Sequence, residues 1–262
     1  MIEFKLKDIE LIEPFGSKGK FSLHWFGLSD GELHFKFGDN SVYEYSEEAL
    51  KFWQSKESKY VDYYISRFAE DFMEIYSNII VDIPDNLFSK TSNLDTYFTD
   101  LEIWRDSNDS EEIEISDRIW DKYGNLKSWV SNRQLDSGHL KGGPKIWFFR
   151  NGNIIRIVWK SDSLISDSIQ QWKTTKGIHE LSFNEFKSQI NKFYANFIES
   201  MSLQIQKAQN FDFGEISVDR QLLKEEQVKR KREFSEYFEN SVELATDWKP
   251  IIQMHDEIKT KG

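Results

Sequence analysis

The glycine-rich stretch from 133 to 147 holds the densest group of side chains that could bind a small molecule. Gly138, Gly142 and Gly143 can turn backbone N–H groups toward an anion, as glycine-rich loops do in phosphate sites. The stretch lacks the GK[ST] ending of a P-loop, and an apolar run follows it. A loop whose glycines only permit positive φ is therefore the alternative. If a pocket exists, we expect it beside six residues: Arg133, Asp136, His139, Lys141, Trp147 and Arg156.

The sequence lacks the residues and motifs of several common catalytic and metal sites. The chain has no cysteine, no GxSxG motif and no HExxH or HxH pattern among its five histidines. We expect a two-residue hairpin turn at Asp30-Gly31, which places His24 and His34 on opposite faces, where they cannot share a metal ion. We therefore expect no catalytic residue, no metal and no cofactor, and we favour a protein that is not an enzyme.

A band of acidic residues offers a second kind of site. Between Asp95 and Asp121 there are ten Asp or Glu residues but two Arg residues, with two tryptophans among them. Carboxylates that steer a basic partner and exposed rings that anchor it are what a protein interface needs. The alternative is a solvated helical face whose tryptophans point inward. The interface candidates are Trp104, Asp109, Glu111, Glu112, Glu114 and Trp120.

Composition limits the possible partners. The chain has 262 residues and a net charge of −11, so nucleic acid is not an expected partner, because phosphate binding needs a positive surface. The basic run 229–232 follows Glu225 and Glu226, which favours ion pairing along a solvated helix. The lack of cysteine fits a reducing cytoplasm, and neither a signal peptide nor a long apolar run is present. We expect a cytoplasmic protein without a membrane segment and with a basic protein partner.

The elements that would hold these sites begin with a hairpin. Asn151-Gly152 separates two apolar runs and is a dipeptide typical of a two-residue β-turn. With this turn, Phe148 pairs with Ile155, and Trp147 pairs with Arg156, whose guanidinium could lie over the indole. One face of the hairpin would then join the core: Ile146, Phe148, Ile155 and Ile157.

Apolar spacing predicts the other elements. A stripe at intervals of three and four residues predicts the clearest helix from about 60 to 80. Ser182 and Glu185 form a capping box at the start of another helix. Further helices are expected after Ser46 and at 94–105, 113–130, 182–208 and 218–240, and strands at 2–12, 42–45 and 178–181.

These elements predict an α+β fold. Antiparallel β-hairpins or meanders form one or two small sheets packed with several helices, and the C-terminus is helical. We expect an α+β domain over 1–210 and a C-terminal helical extension over 211–262. Residues 1–80 and 133–208 each read as a meander followed by a helix, which suggests a pseudo-repeat. Two units of similar build that share common turn chemistry are the alternative.

Two stretches resemble motifs of an uncharacterised bacterial domain family. Residues 23–31 read LHWFGLSDG, and residues 135–149 read LDSGHLKGGPKIWFF. Members of that family show HWFGLTDG and later a DxGYxxxGPxIWFWR-like stretch. Here Ser29 replaces Thr, and His139 stands where an aromatic residue such as Tyr is expected. The resemblance covers roughly residues 1–205, implies a bacterial, cytoplasmic protein, and carries no activity, cofactor or catalytic residue with it.

Three functions remain open from the sequence. The first is a non-enzymatic protein-binding module of a bacterial cytoplasm, such as an immunity-type inhibitor whose acidic band meets a basic toxin. The family resemblance points to small accessory proteins of this kind. The second is a small-molecule-binding or enzymatic domain that uses the glycine-rich 133–147 loop. The third is a subunit of a larger bacterial assembly, whose oligomeric state the sequence does not predict.

Overall fold

The computed structural model describes residues 1–55, 58–135, 137–166, 168–241 and 246–259. The strands in this part of the chain are Ile2–Leu6 (β1), Asp30–Phe37 (β2), Asn40–Val42 (β3), Val61–Tyr64 (β4), Gln134–Leu135 (β5), Lys145–Asn151 (β6), Ile154–Lys160 (β7), Leu164–Ile165 (β8), Ile169–Gln170 (β9) and Lys176–Ser182 (β10). The α-helices are Glu47–Trp53 (α1), Ile65–Ile79 (α2), Asp85–Phe88 (α3), Leu94–Asn108 (α4), Ile113–Ser131 (α5), Phe183–Asn210 (α6), Arg220–Asn240 (α7) and Trp248–Lys259 (α8).

Two four-stranded antiparallel sheets form the framework and confirm the α+β prediction. In the first sheet, β1 pairs along one edge of β2, while β3 and β4 share the other edge. In the second sheet the strand order is β10-β7-β6-β5. In both sheets the last strand leads straight into a long helix, β4 into α2 and β10 into α6. The pseudo-repeat stays a prediction.

The β6–β7 hairpin forms as predicted, but its turn lies one residue later. Phe148 pairs with Ile157, so the turn residues are Gly152 and Asn153. Gly152 has a φ of +54°, and glycine at the first turn position is typical of a type II′ turn. Because the pairing shifts by two residues, the same side chains keep facing the core: Ile146, Phe148, Ile155 and Ile157.

The predicted pairing of Trp147 with Arg156 is wrong. Trp147 pairs with Val158, and Arg156 pairs with Phe149. The guanidinium of Arg156 lies instead over the ring of Phe88, with its central carbon 4.0 Å from the ring centroid. The glycine of the turn, rather than the Asn-Gly dipeptide, determines the register.

The predicted turn at Asp30-Gly31 is also wrong, because both residues lie inside β2. Gly31 pairs with Leu6 on one side and with Tyr63 on the other. A Cβ at Gly31 would lie 2.3 Å from the carbonyl oxygen of Lys5, so this glycine permits the close approach of β1. The turn after β2 is Gly38-Asp39, where Gly38 has a φ of +59°.

The helix predictions hold with shifted boundaries. The helix predicted at 60–80 starts only at the end of β4, because residues 61–64 pair with β2. The hydroxyl of Ser182 accepts a hydrogen bond from the N–H of Glu185, as the capping box predicts. The strand predicted at 2–12 ends with β1, and the one predicted at 42–45 begins and ends earlier, as β3.

The second sheet is covered on both faces. One face joins a core with α2, α6 and the first sheet, and both of these helices contact strands of both sheets. In this core Phe72, Phe148 and Phe186 pack ring against ring with centroids 5.3–6.2 Å apart. On the other face, Trp147 and Phe149 join a second core with α3, α4, α5 and α8. The β6–β7 hairpin therefore positions both helical layers.

The C-terminal helices pack on two different surfaces. α7 lies on α6 with Leu223 and Phe234 buried, and the Nε1 of Trp25 donates a hydrogen bond to Gln227 Oε1 at 2.7 Å. α8 packs on α5 and brings Trp248 to the second core. The domain division at residue 210 stays a prediction. Among the residues that the structure describes, no helix combines the length and the apolar character needed to cross a membrane.

We expect Gly31→Ala to lower the free energy of unfolding by about 1–3 kcal/mol, since the added methyl group would meet the backbone of β1. Gly124→Ala is the matched control, because Gly124 lies inside α5 with nothing within 4 Å of its would-be Cβ. It should raise the free energy of unfolding by about 0.5–1 kcal/mol. Urea unfolding measures both free energies. If both substitutions changed the free energy of unfolding in the same direction, the roles assigned to the two glycines would be wrong.

Candidate functional site

The glycine-rich loop packs against the segment that follows β9. The carbonyl oxygens of Lys141 and Gly142 accept hydrogen bonds from Gln171 Nε2 at 3.0 Å and from Trp172 Nε1 at 2.7 Å. Gly142 has a φ of +65°, and a Cβ there would lie 2.0 Å from the Oγ of Ser163. Backbone conformation and close packing therefore require glycine at this position. This agrees with the alternative to a phosphate cradle, namely a loop whose glycines only permit positive φ.

His139 packs against α2 and β4. Its ring stacks on Tyr63 with centroids 4.6 Å apart, and its Nδ1 lies 3.7 Å from the Oδ2 of Asp71. The side chain of Lys141 is exposed. Asp136 lies outside the described residues, so the pocket expected beside Asp136 and His139 stays a prediction.

Arg133, Trp147 and Arg156 lie on the opposite face of the second sheet, in or beside the second core. The Nη1 of Arg133 donates to the carbonyl oxygen of Trp129, and burial lowers the pKa of Arg133 to about 10, so it stays charged at neutral pH. Arg156 donates to Glu180 Oε1 at 2.7 Å. The five described members of the predicted pocket are thus divided between two faces of one sheet.

A cleft of about 630 Å³ opens beside the glycine-rich loop, between α4, α5 and the start of β6. Trp147 lines it, together with Phe98 and the three lysines Lys127, Lys145 and Lys160. An adjoining cleft of about 450 Å³ shares Phe98, Trp147 and Lys160 with the first. Sequence reasoning missed Phe98 and the lysines, because they come from two helices and two strands that only tertiary structure brings together.

The acidic band lies on the α4–α5 hairpin, and its two tryptophans differ. Trp104 is 8% exposed and belongs to the second core. It therefore points inward, as the alternative of a solvated helical face predicts. Trp120 is 47% exposed. The side chains of Glu111, Glu112 and Glu114 are also exposed. The band is thus a solvated acidic surface that carries one exposed tryptophan.

Neighbouring side chains hold Trp120 in one orientation. Its Nε1 donates to Asp109 Oδ2 at 3.2 Å, and the guanidinium carbon of Arg105 lies 4.8 Å from the indole centroid. Ser116 Oγ donates to the other carboxylate oxygen of Asp109 at 2.6 Å. Ile113, two helical turns before Trp120, is 75% exposed on the same face. We call this surface the α4–α5 tip: Asp109, Glu111, Glu112, Ile113, Glu114 and Trp120.

The two histidines nearest the N-terminus, His24 and His34, each stack on an aromatic ring. His24 stacks on Phe15 with centroids 4.6 Å apart, and it precedes β2 rather than facing His34 across a hairpin. His34 stacks on Tyr60 at 3.9 Å, with its Nε2 3.2 Å from Glu3 Oε2. Within the described ranges, no group of three His, Cys, Asp or Glu residues is arranged to hold a metal ion.

Hydrogen bonds from Ser116, from the N–H of Ser110 and from Trp120 hold the pKa of Asp109 below its ordinary value of 3.8. We expect Ser116→Ala to raise this pKa toward 3.8, as measured by NMR titration of the carboxyl carbon. Because the folded-state pKa is depressed, these bonds stabilise the tip fully above about pH 4 and are lost as the pH falls through that pKa. Ser128→Ala, which removes a hydroxyl elsewhere on α5, is the control. An unchanged pKa in Ser116→Ala would refute the assignment.

Comparison with known proteins gives a family match. No curated protein and no solved structure matches the chain. The model of a family of unknown function matches residues 1–254, which includes α7 and most of α8, whereas the motif resemblance covers roughly residues 1–205. This confirms the prediction of an uncharacterised domain family. The chain therefore belongs to the family of unknown function DUF5984.

Proposed function

We propose that the protein is a non-enzymatic protein-binding module whose α4–α5 tip docks on a basic surface of its partner. In its specific form, the proposal is an immunity-type inhibitor that neutralises a basic toxin in a bacterial cytoplasm. The observation that carries the proposal is Trp120, a large ring that is 47% exposed and yet held by two neighbouring side chains. Tryptophan is enriched among the residues that dominate binding energy at protein interfaces.

The fixed orientation of Trp120 supports a role for this side chain in binding a partner. An immobilised side chain loses little rotamer freedom when a partner covers it, so more of the contact energy appears as affinity. Ile113 on the same helical face supplies a second apolar contact. Together they form a small apolar centre with a charged rim, which is the arrangement found in transient protein interfaces.

The charges around the tip define the partner. Glu111, Glu112 and Glu114 are exposed and follow one another within four residues, in a chain with a net charge of −11. Such a field attracts a basic protein and raises the association rate, and salt weakens this effect. A partner with a neutral or acidic surface would gain nothing from these carboxylates.

We expect Trp120→Ala to weaken binding to the toxin by about 30-fold, the effect of losing a dominant interface residue. Glu111→Lys/Glu112→Lys/Glu114→Lys should mainly lower the association rate at low salt. The probes are the purified products of the genes that flank the gene for this chain, measured by surface plasmon resonance. In cells, co-expression of this chain should rescue growth if one of these products is toxic.

Glu10→Lys/Glu13→Lys/Glu215→Lys is the matched control for charge, because these three acids are also exposed but lie outside the tip. It should leave binding nearly unchanged. Two results would overturn the proposal: no flanking gene product binds, or one binds with an affinity that neither the Trp120 variant nor the charge reversal alters. Binding without toxicity of the partner would retain the protein-binding module and remove the immunity role.

A further inference from the structure

We propose that the cleft between α4 and the second sheet binds an aromatic phosphate of nucleotide size. The phosphate would lie on a row of three lysines, and the ring would lie against Phe98 and Trp147. We call these lysines the lysine row: Lys145, Lys160 and Lys176. This inference does not rest on the proposed protein-binding function, because it uses a different part of the surface.

The strand register places the three lysines side by side. Lys160 of β7 pairs directly with Lys145 of β6 on one side and with Lys176 of β10 on the other. Directly opposed residues point to the same face, with Cβ atoms about 4.5–5.5 Å apart, and like charges in such positions destabilise a sheet. Repulsion within the row therefore works against folding wherever no carboxylate of the chain offsets it.

The carboxylates near the row neutralise its central member. Lys160 Nζ lies 2.8 Å from Asp95 Oδ1 and 3.3 Å from Asp162 Oδ2. Across the part of the chain that the structure describes, no carboxylate oxygen lies within 4.0 Å of the ammonium groups of Lys145 and Lys176. The two outer lysines are thus available to one anionic group or to neighbouring groups of a polyphosphate.

The row lies where the two clefts adjoin. Lys145 and Lys160 line the cleft of about 630 Å³, and Lys160 and Lys176 line the cleft of about 450 Å³. Three carboxylates share this lining: Asp95 and Asp162, which pair with Lys160, and Glu102. Phe98 and Trp147 line both clefts, and because Trp147 is only 5% exposed whereas Phe98 is half-buried, the aromatic wall beside the cations is mainly the ring of Phe98. Volumes of this size and a few charged groups beside aromatic side chains are typical of small-molecule sites.

The combination of row and wall selects the ligand class. A free inorganic anion would use the lysines but leave the aromatic wall unused, and an uncharged ring would do the reverse. A nucleic acid would meet the acidic residues that continue along α4 and α5, and its backbone needs a far more positive surface than this one. A ring that carries phosphate satisfies both parts within one cleft.

Isothermal titration calorimetry without magnesium tests the proposal with ATP, GTP, CTP and UTP, and with adenosine and inorganic tripolyphosphate. We expect at least one nucleotide to bind about tenfold or more tightly than either adenosine or tripolyphosphate. Lys145→Gln/Lys176→Gln should weaken that binding about 10- to 100-fold. The thermal midpoint of this variant should stay equal or rise, because repulsion within the row is relieved.

Lys18→Gln/Lys20→Gln removes the same charge from two exposed lysines outside the cleft and should leave nucleotide binding unchanged. Phe98→Leu should weaken nucleotide binding while leaving any tripolyphosphate binding unaltered. The proposal is overturned if none of the four nucleotides binds at about 1 mM, if tripolyphosphate binds as tightly as the best nucleotide, or if the lysine variant binds as the unmodified chain does. Trp120→Ala should not affect the titration, so failure of this inference is distinguishable from failure of the protein-binding proposal.

Discussion

Side chains of the β6–β7 hairpin alternate between two cores, and the other layers must cover both. Phe148 and Ile157 face α2 and α6, while Phe149 and Val158 face the helices of the second core. Burial of each large apolar side chain contributes about 1.5–3 kcal/mol, so neither face can be left to water. A slip of one residue in the pairing would exchange the two faces, whereas the observed shift of two residues from the predicted register leaves them unchanged.

The two motif stretches that resemble the family connect segments that are far apart in the sequence. Trp25 reaches α7, where its Nε1 bonds to Gln227 and its ring lies 4.3 Å from the guanidinium carbon of Arg230. Gly142 accepts a hydrogen bond from Trp172 across the second sheet's loops. These contacts give residues of the two stretches a role in packing. The first stretch packs against α7, whereas residues of the second stretch also line the cleft of about 630 Å³: Gly142, Gly143, Lys145 and Trp147.

The two surfaces for which we propose functions lie at opposite ends of α4. Asp95, at the start of the helix, pairs with the lysine row, and Asp109, at its end, orients Trp120. At 1.5 Å per residue, the two ends are about 21 Å apart, well beyond the Debye length of about 8 Å at physiological salt. The charges of the two proposed sites are therefore screened from each other.

Local chemistry was enough to predict much of the fold from the sequence. The Ser182 cap, the amphipathic stripes and the existence of the β6–β7 hairpin depend on neighbours within a few residues, so they could be read directly. The α+β class followed from these elements. The exposed acids near Glu111 followed from composition, because isolated carboxylates rarely leave water.

Tertiary structure alone decided the features that depend on distant partners. Gly31 looked like a turn residue, and only the approach of β1 shows why a strand needs glycine there. Trp104 and Trp120 occupy equally acidic surroundings in the sequence, yet packing buries the first and leaves the second exposed. The lysine row comes from three strands, and residues on different strands become neighbours only through hydrogen-bond register, which no local pattern encodes.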